Sequence, residues 1–226
     1  MTENHEFDAQ RQSMVREQIA RRGIHDERVL QAMRTVPRHL FVPDDQRQWA
    51  YSDGALRIDM GQTISQPYIV ALMTELLQLQ GDEKVLEVGT GSGYQAAVLS
   101  YLSKEVHTIE RHSSLAESAR LILDEAGISN VNVHIGDGTL GLPEIAPFQG
   151  IMVTAAAPKV PPSLLGQLDD GGRLVLPVGS RYSQVLEVWR RKDSKYTHET
   201  TTAVAFVPLI GDEGWNEASW NQFRLL

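Results

Sequence analysis

Hydrophobic positions divide the chain into a helical N-terminal part and a longer part in which strands and helices alternate. The first dozen residues bury little and are expected to fray, while a sparse apolar stripe over 8–22 predicts a weak first helix. Asp26 is placed to cap a second helix, which ends at Pro37. After a long loop, a third helix is predicted to begin near Pro67, because proline suits a first helical turn.

Beyond the third helix, short apolar runs alternate with helical stretches. Alternation at this spacing predicts parallel strands joined by crossover helices, that is, an α/β fold with a doubly wound, mostly parallel sheet. The predicted strands are 84–89, 105–110, 130–136 and 148–154. The predicted helices between them are 94–103, 113–126 and 161–168.

The last third of the chain is rich in strand-forming residues and has no helical stretch between its apolar runs. These runs are expected to pair antiparallel at the edge of the sheet. They cover residues 171–179, 183–192 and 201–209.

Composition narrows the class of protein. A length of 226 residues with 42% apolar residues suits one domain with its own core. The absence of cysteine excludes disulfide frameworks, thiolate metal sites and cysteine nucleophiles. A net charge of -8 argues against nucleic acid or an anionic membrane as a partner. With no visible secretory leader or bilayer-spanning run, we expect a cytoplasmic protein.

The sharpest local feature is a glycine-rich turn after the first predicted strand, in the run VLEVGTGSGYQAAVLS. Gly89, Gly91 and Gly93 permit a tight turn around Thr90 and a close approach of the backbone to a ligand, because glycine has no Cβ. A dinucleotide-binding fold would have G-x-G-x-x-G/A here. The third glycine is displaced and Tyr94 occupies the sixth position, which disfavours a pyridine-nucleotide oxidoreductase.

Acidic side chains stand near the ends of three successive predicted strands. Glu87 precedes the first glycine, Glu110 ends the next strand, where an acid reaches ribose hydroxyls, and Asp137 follows the third strand. Asp137 can accept from an adenine amino group, with Gly138 leaving space for the ring. An acidic pocket without a nearby lysine favours a sulfonium nucleoside over a pyrophosphate. Taken singly, a solvated strand-end acid and a turn residue remain alternative interpretations of Glu110 and Asp137.

Several segments between about Met14 and Leu209 resemble known methyltransferase motifs. Those shared by class I methyltransferases, whose fold is Rossmann-like, are VLEVGTGSGY, VHTIER, GDG, FQGIMVTAAAP and LLGQLDDGGRLVLPVG. Those typical of one family are PRHLFVP, AYSD, GQTISQP and FVPL. On these segments the chain resembles the protein-L-isoaspartate O-methyltransferases.

The resemblance implies methyl transfer from S-adenosyl-L-methionine to the side-chain carboxylate of L-isoaspartyl residues in damaged proteins and peptides, with repair through a succinimide. Apart from the resemblance, the histidines are scattered with no H-x-x-x-H pair, so we expect no metal site. The family's active-site serine falls on Ser65. With the acids and glycines described above, the expected cofactor residues are Glu87, Gly89, Thr90, Gly91, Gly93, Glu110, Asp137 and Gly138. The expected substrate residues are Thr63, Ile64, Gln66, Val207, Pro208 and Leu209.

Ser65 has two interpretations. No G-x-S-x-G turn surrounds it and the sequence places no histidine to activate it, so we predict a hydrogen-bond donor that orients the substrate carboxylate rather than a nucleophile. A carboxyl with a pKa of ~4 is already ionised at neutral pH, so the reaction needs orientation more than a base. The alternative is that Ser65 caps the helix that begins at Pro67.

The expected organisation is a single domain over 1–226. It comprises a helical substrate-side segment over about 8–66, a nucleoside-binding core with C-terminal strands over 67–209, and a tail over 210–226 that the pattern does not place. In that tail, Trp215 and Trp220 either cover the pocket or contact the core. We expect a monomer whose partners are isoaspartyl-containing proteins.

Two other functions remain open on the same scaffold. One is a class I methyltransferase for a small metabolite, and the other is an inactive S-adenosylmethionine-binding protein. The intact GQTISQP segment argues against both, because neither needs it. The run GALRIDM departs from the proline-rich segment that the family has at this point, so the resemblance does not predict the conformation of this loop.

Overall fold

The computed structural model describes residues 3–221, and it begins with a helix that buries more than the sequence suggested. Helix α1 (Glu3–Met14) starts before residue 8, so the expectation of a frayed N-terminal segment is wrong for the residues that are described. The reason is a tertiary contact: Phe7 is buried and stacks on His39, with ring centroids 4.2 Å apart. A π-helical turn and a 3₁₀ turn then extend the helical path to Gly23, whose φ of +97° ends it.

The second helix confirms its predicted cap. Asp26 precedes α2 (Glu27–Thr35), and its Oδ1 accepts from the backbone N–H of Arg28 at 2.8 Å. The run GALRIDM, where the family pattern is broken, contributes one strand of a small antiparallel hairpin. The hairpin and the helix that follows it are β1 (Leu56–Arg57), β2 (Thr63–Ile64) and α3 (Pro67–Leu77).

A seven-stranded sheet occupies the middle of the described part of the chain. Its strands are β3 (Lys84–Val88), β4 (Glu105–Glu110), β5 (Val131–Ile135), β6 (Phe148–Val153), β7 (Leu168–Gly179), β8 (Gln184–Lys192) and β9 (Lys195–Val204). The remaining helices are α4 (Tyr94–Ser100), α5 (Ser113–Glu125), α6 (Pro162–Gly166) and α7 (Glu217–Asn221). The strand order β5-β4-β3-β6-β7-β8-β9 confirms the doubly wound prediction, since the chain runs from β3 to one edge and then crosses to the other side.

The C-terminal strands differ from the expectation in direction and position. β8 and β9 are antiparallel to their neighbours as predicted, but β7 runs parallel to β6, because α6 returns the chain to the same end of the sheet. β9 begins earlier than residue 201. Asp193 and Ser194 adopt positive φ values of 49° and 61°, which form a two-residue hairpin turn and bring Lys195 directly into pairing.

Alternate residues of the central strands enter two hydrophobic clusters on opposite faces of the sheet, as a strand requires. One cluster joins the sheet to α1, α2, α3 and α4, so the N-terminal helices share a core with the sheet. The other lies under α6 and the segment that contains Leu209. The pairs that divide between the faces include Val85 and Leu86, Met152 and Ile151, and Val175 and Leu174. No helix among the described residues is long and apolar enough to cross a bilayer.

A histidine pair joins β4 to β5 near the sheet edge. His107 Nδ1 lies 3.0 Å from His134 Nε2, and the buried His107 ring meets Phe148 edge-on. Burial lowers the pKa of His107 and of His134 below the ordinary value. Neutral rings can share a hydrogen bond, whereas protonation of both would place two cations together.

We expect this pair to make folding pH-dependent on the acid side. Because the folded-state pKa values lie below the ~6.5 of an unfolded histidine, the free energy of unfolding should fall as the pH drops below that value. Urea denaturation at several pH values measures the effect. His134→Gln should flatten the dependence, while His198→Gln, on the exposed strand β9, should keep it. Equal pH dependence in His134→Gln and the wild type would contradict the assignment.

Candidate active site

The glycine-rich turn joins β3 to α4 at the carboxyl edge of the parallel strands. Gly89 has a φ of +98°, and an added Cβ would collide with Thr154 Oγ1, which itself donates to the Gly89 carbonyl at 2.6 Å. Glycine is therefore required here both by backbone conformation and by space. Since β3 lies between β4 and β6, the turn stands at the switch point of the sheet, where doubly wound folds bind ligands.

Glu110, at the end of β4, is held against this turn. Its Oε2 accepts from Gly91 N and its Oε1 accepts from His112 N, each at 3.0 Å. Each carboxylate oxygen can accept two hydrogen bonds, so lone pairs remain for the hydroxyls of a ligand. Gly93 does not border the site; it faces Ala119 of α5, at the first turn of α4.

Glu87, Thr108 and Thr90 form a buried hydrogen-bonded chain. Thr108 Oγ1 donates to Glu87 Oε2 at 2.6 Å and lies 2.7 Å from Thr90 Oγ1. Glu87 is fully buried, and its Oε1 has no hydrogen-bond partner among residues 3–221. Burial raises the pKa of Glu87 to about 8, and the nearby Glu110 carboxylate adds to the rise. A buried carboxyl with a free oxygen beside a cavity fits a cationic ligand.

Asp137 follows β5, but the protein itself uses most of its carboxylate. Oδ1 accepts from both the backbone N–H and the hydroxyl of Thr139, and Oδ2 accepts from Asp212 N at 2.8 Å. A carboxylate has about four acceptor positions, so one remains, and the adenine contact stays a prediction. Gly138 borders a cavity, but its missing Cβ also makes space for Val88, whose Cγ1 would lie 2.5 Å from an added Cβ.

Two adjoining cavities run along the ends of β3, β4 and β6. The larger, about 280 Å³, is bordered by Gly89, Glu110, Gly138 and residues 207–210. The smaller, about 60 Å³, is bordered by the glycine turn and residues 62–65, and it shares Gly89 and Glu110 with the larger. Most of the predicted cofactor and substrate residues therefore border these two adjoining cavities, whereas Gly93 and Asp137 border neither of them and Gln66 borders only the groove described next. Among the described residues, no three metal-ligating side chains lie together to hold an ion.

Ser65 stands between the smaller cavity and a third, groove-like cavity of about 540 Å³. We call the latter the neutral groove; Thr63, Ser65, Gln66 and residues 203–206 border it. The cap position of α3 belongs to Gln66, so the capping interpretation of Ser65 is wrong. The Gln66 side chain instead donates to Asp53 Oδ1 at 2.7 Å, which ties this segment to the AYSD run.

The segment Val207–Leu209 reaches the same space from the other end of the chain. The Val207 carbonyl accepts from Ala156 N and Leu209 N donates to the Ala156 carbonyl, both at 2.8 Å. Val207 borders both adjoining cavities, while Pro208 and Leu209 border the larger one. Of the other predicted substrate residues, Thr63 is exposed, whereas Ile64 is buried in the core and offers only its backbone.

The tail contributes groups to the cavity wall that the sequence pattern did not place. Trp215 Nε1 donates to the Ala156 carbonyl at 3.1 Å, whereas Trp220 borders the larger cavity, so each of the two predicted roles falls to one tryptophan. Glu217 forms an ion pair with Arg111 at 2.9 Å beside this cavity. The sequence feature that could have indicated this ion pair is the position of Arg111 directly after the strand-end acid. Residues 222–226 of the tail lie outside the described residues.

Comparison with known proteins gives concordant results. The family model for protein-L-isoaspartate(D-aspartate) O-methyltransferases matches residues 9–214. A protein-L-isoaspartate O-methyltransferase from Trichlorobacter lovleyi is 54% identical over 210 residues, which cover 92% of this chain and 97% of that protein. Protein-L-isoaspartate O-methyltransferase 2 from Shewanella sediminis is 56% identical over 202 residues, or 89% of this chain and 83% of that protein.

Solved structures match the fold. A protein-L-isoaspartate O-methyltransferase structure has a TM-score of 0.82 at 28% identity, covering 95% of this chain and 70% of the other. A structure from Plasmodium falciparum with the same family designation, in complex with S-adenosyl-L-homocysteine, has a TM-score of 0.79 at 25% identity, covering 88% and 98%. The chain therefore belongs to the protein-L-isoaspartate(D-aspartate) O-methyltransferase family.

Proposed function

We propose that this protein transfers a methyl group from S-adenosyl-L-methionine to the side-chain carboxylate of L-isoaspartyl residues in damaged proteins and peptides, and so initiates their repair through a succinimide. The observation that carries the proposal is the position of Ser65, on the wall common to the smaller cavity and the neutral groove. Family membership supports the reaction, and the relative solved with S-adenosyl-L-homocysteine supports the cofactor.

The two adjoining cavities are the proposed cofactor site. Bound S-adenosyl-L-methionine supplies an electrophilic methyl group on a positively charged sulfur. Glu110, with lone pairs free, would accept ribose hydroxyls, and Asp137 with Gly138 would border the adenine. Glu87 and the turn from Gly89 would hold the charged methionine end, since acidic groups favour a cation there. Thr90 and Gly91 would complete that wall.

Ser65 is the proposed catalytic residue, in the sense that it touches the reacting carboxylate. An isoaspartyl carboxyl has a pKa of ~4 and is ionised at neutral pH, so the protein need not remove a proton. A hydroxyl donating to one carboxylate oxygen leaves the other oxygen aimed at the methyl carbon. Correct orientation of this kind can lower the activation free energy by ~7–11 kcal/mol. Thr63, the backbones of Ile64 and Gln66, and residues 207–209 would hold the peptide around it.

The neutral groove suits a substrate whose surroundings vary. None of the described residues that border it carries a charge; they are Gly54, Ala55, Thr63, Ser65, Gln66, Ile69, Ala203, Val204, Ala205 and Phe206. A charged side chain beside the isoaspartyl residue would meet neither an attractive nor a repulsive partner on this wall. Recognition would therefore rest on the peptide backbone and on the carboxylate.

We also propose that the protein acts as a single domain and a monomer in the cytoplasm, with no nucleic acid or membrane as a partner. Residues of this one chain border both adjoining cavities, which supports a monomeric site. The net charge of -8 supports the exclusion of polyanionic partners.

The reaction is tested with methyl-labelled S-adenosyl-L-methionine and two peptides that differ only in an isoaspartyl or aspartyl residue. We expect base-labile label on the isoaspartyl peptide alone. Label on both peptides, or on neither, would contradict the proposal. Binding of S-adenosyl-L-homocysteine without any methylation would favour the inactive binding protein, and methylation of small acids alone would favour the metabolite enzyme.

Replacing Ser65 with alanine should lower kcat for the isoaspartyl peptide without weakening the cofactor site. Loss of one hydrogen bond to a charged group corresponds to a decrease of roughly 10- to 100-fold. Steady-state kinetics and calorimetric titration with S-adenosyl-L-homocysteine measure the two effects. Ser118→Ala, on the exposed face of α5, is the matched control and should behave as the wild type. A large loss of cofactor affinity in Ser65→Ala would contradict the assigned role.

Glu87 should make binding of the charged cofactor pH-dependent. Because burial raises the pKa of this carboxyl to about 8, S-adenosyl-L-methionine should bind more tightly as the pH rises from ~6.5 to ~8.5. The gain in affinity is up to ~10-fold for each unit by which the bound cation lowers the pKa of Glu87. Glu87→Gln keeps an acceptor for Thr108 but cannot ionise, so it should remove this increase. S-adenosyl-L-homocysteine keeps the α-ammonium group but has a neutral sulfur, so comparison with it shows how much of the increase depends on the sulfonium charge. The same pH dependence in the variant and the wild type would refute the role.

A further inference from the structure

Arg38 is a buried cation that no part of the proposed mechanism uses. It begins the 3₁₀ turn Arg38–Phe41 inside the PRHLFVP run, and no part of its side chain is exposed. Within residues 3–221 no carboxylate lies at ion-pair distance from it, and its Nη1 has no hydrogen-bond partner. The neighbouring Tyr94 cannot supply a negative charge, because burial raises the pKa of that phenol to about 12. A buried, unpaired charge is costly, so its retention calls for a reason beyond filling space.

Three segments of the site meet at the Arg38 guanidinium. Its Nε donates to the Ala50 carbonyl and its Nη2 donates to the Ser65 carbonyl, each at 2.7 Å. Its central carbon lies 4.7 Å from the ring centroid of Tyr94, the first residue of α4 after the glycine turn. One side chain therefore joins the AYSD run, the Ser65 segment and the first turn of the helix beyond the cofactor loop.

Apart from Arg38, the Ser65 segment is held by β2 and by the Gln66 side chain, which donates to Asp53. On its N-terminal side lies the two-residue strand β2, and on its C-terminal side Gln66 is held extended, at φ -51° and ψ 138°, by the proline that follows it. The Ser65 carbonyl takes no part in the hydrogen bonds of α3, whose first bonds go to the Gln66 carbonyl. Among the described residues, Arg38 is the group that donates a hydrogen bond to the Ser65 carbonyl.

We propose that Arg38 is a positioning residue for methyl transfer, which holds the Ser65 backbone at a fixed place relative to the glycine turn. The inference rests on the proposed role of Ser65. A planar guanidinium can donate to two carbonyls and stack on a ring at once, which a lysine ammonium cannot do. Arg38 thereby sets where the substrate carboxylate lies with respect to the methyl donor, although it touches neither.

The test is a double-mutant cycle on kcat/KM for the isoaspartyl peptide, with Arg38→Met, Arg38→Lys, Ser65→Ala and the combined variants. A misplacement near 1 Å costs roughly 100-fold, so Arg38→Met should lose activity on that order while still binding S-adenosyl-L-homocysteine. Arg38→Lys should lose less, since it can reach one carbonyl. In the Ser65→Ala background, either Arg38 substitution should cause little further loss, because the group it positions is gone.

Arg191→Met is the matched control for loss of a largely covered arginine. Arg191, on β8, donates to the carbonyl of Leu168, on β7, at 2.6 Å and borders none of the three cavities. We expect it to lower Tm and to leave kcat/KM of the folded enzyme unchanged.

Three results would overturn the proposal. These are equal losses with and without the Ser65 hydroxyl, a loss that merely follows Tm as in Arg191→Met, and a loss of affinity for S-adenosyl-L-homocysteine that matches the loss of activity. If Arg38→Met does not fold, the cycle with Arg38→Lys decides by the same criteria. A wild type that methylates neither peptide would refute the proposed function itself, and the two failures are thus distinguishable.

Discussion

The hydrogen bond from Gly91 N to the Glu110 carboxylate, which joins the glycine turn to the end of β4, is the interaction on which the site depends. Gly91 N and His112 N both point at this one carboxylate, so the end of β4 and the turn after β3 are fixed relative to each other. The same carboxylate keeps acceptor positions for a ligand. Because both adjoining cavities include Glu110 in their walls, their shapes follow from this contact. A single side chain thus builds the loop and offers a ligand contact.

Charge is divided around the reaction centre in a way that suits a charged methyl donor and a charged acceptor. Glu87 and Glu110 border the smaller cavity, and Arg111, which borders the larger one, is paired with Glu217, whereas no described residue on the wall of the neutral groove is charged. Arg38 is the cation that is hydrogen-bonded to Ser65, and it donates to the backbone carbonyls of Ser65 and Ala50. A cationic side chain inside the space would compete with the methyl donor for Glu87. The positive charge of Arg38 therefore holds the backbone and does not border either adjoining cavity.

Local signals predicted the parts of the fold that local chemistry determines. The Asp26 cap, the alternation of strands and helices, and the glycine turn all depend on residues close together in sequence. The direction of β7 depends on the path of α6, and the formation of α1 depends on the contact between Phe7 and His39. The hydrophobic periodicity of the sequence predicts neither of these. The role of Arg38 was not predicted for the same reason. Its partners lie 12 and 27 residues away, so a motif could mark the residue but not its contacts.

Glu217, which the sequence pattern missed, and Trp220 reach the site for one physical reason, which is that the C-terminal tail folds back onto the ends of the strands. Asp137, predicted as a ligand for adenine, also accepts from Asp212 N and so fastens the tail beside Gly138. The fastened tail then brings Glu217 and Trp220 to the wall of the larger cavity. The same carboxylate fixes the tail and stands next to the proposed adenine position. A change at the tail attachment is therefore a change in the cofactor wall, and the tail is part of the site.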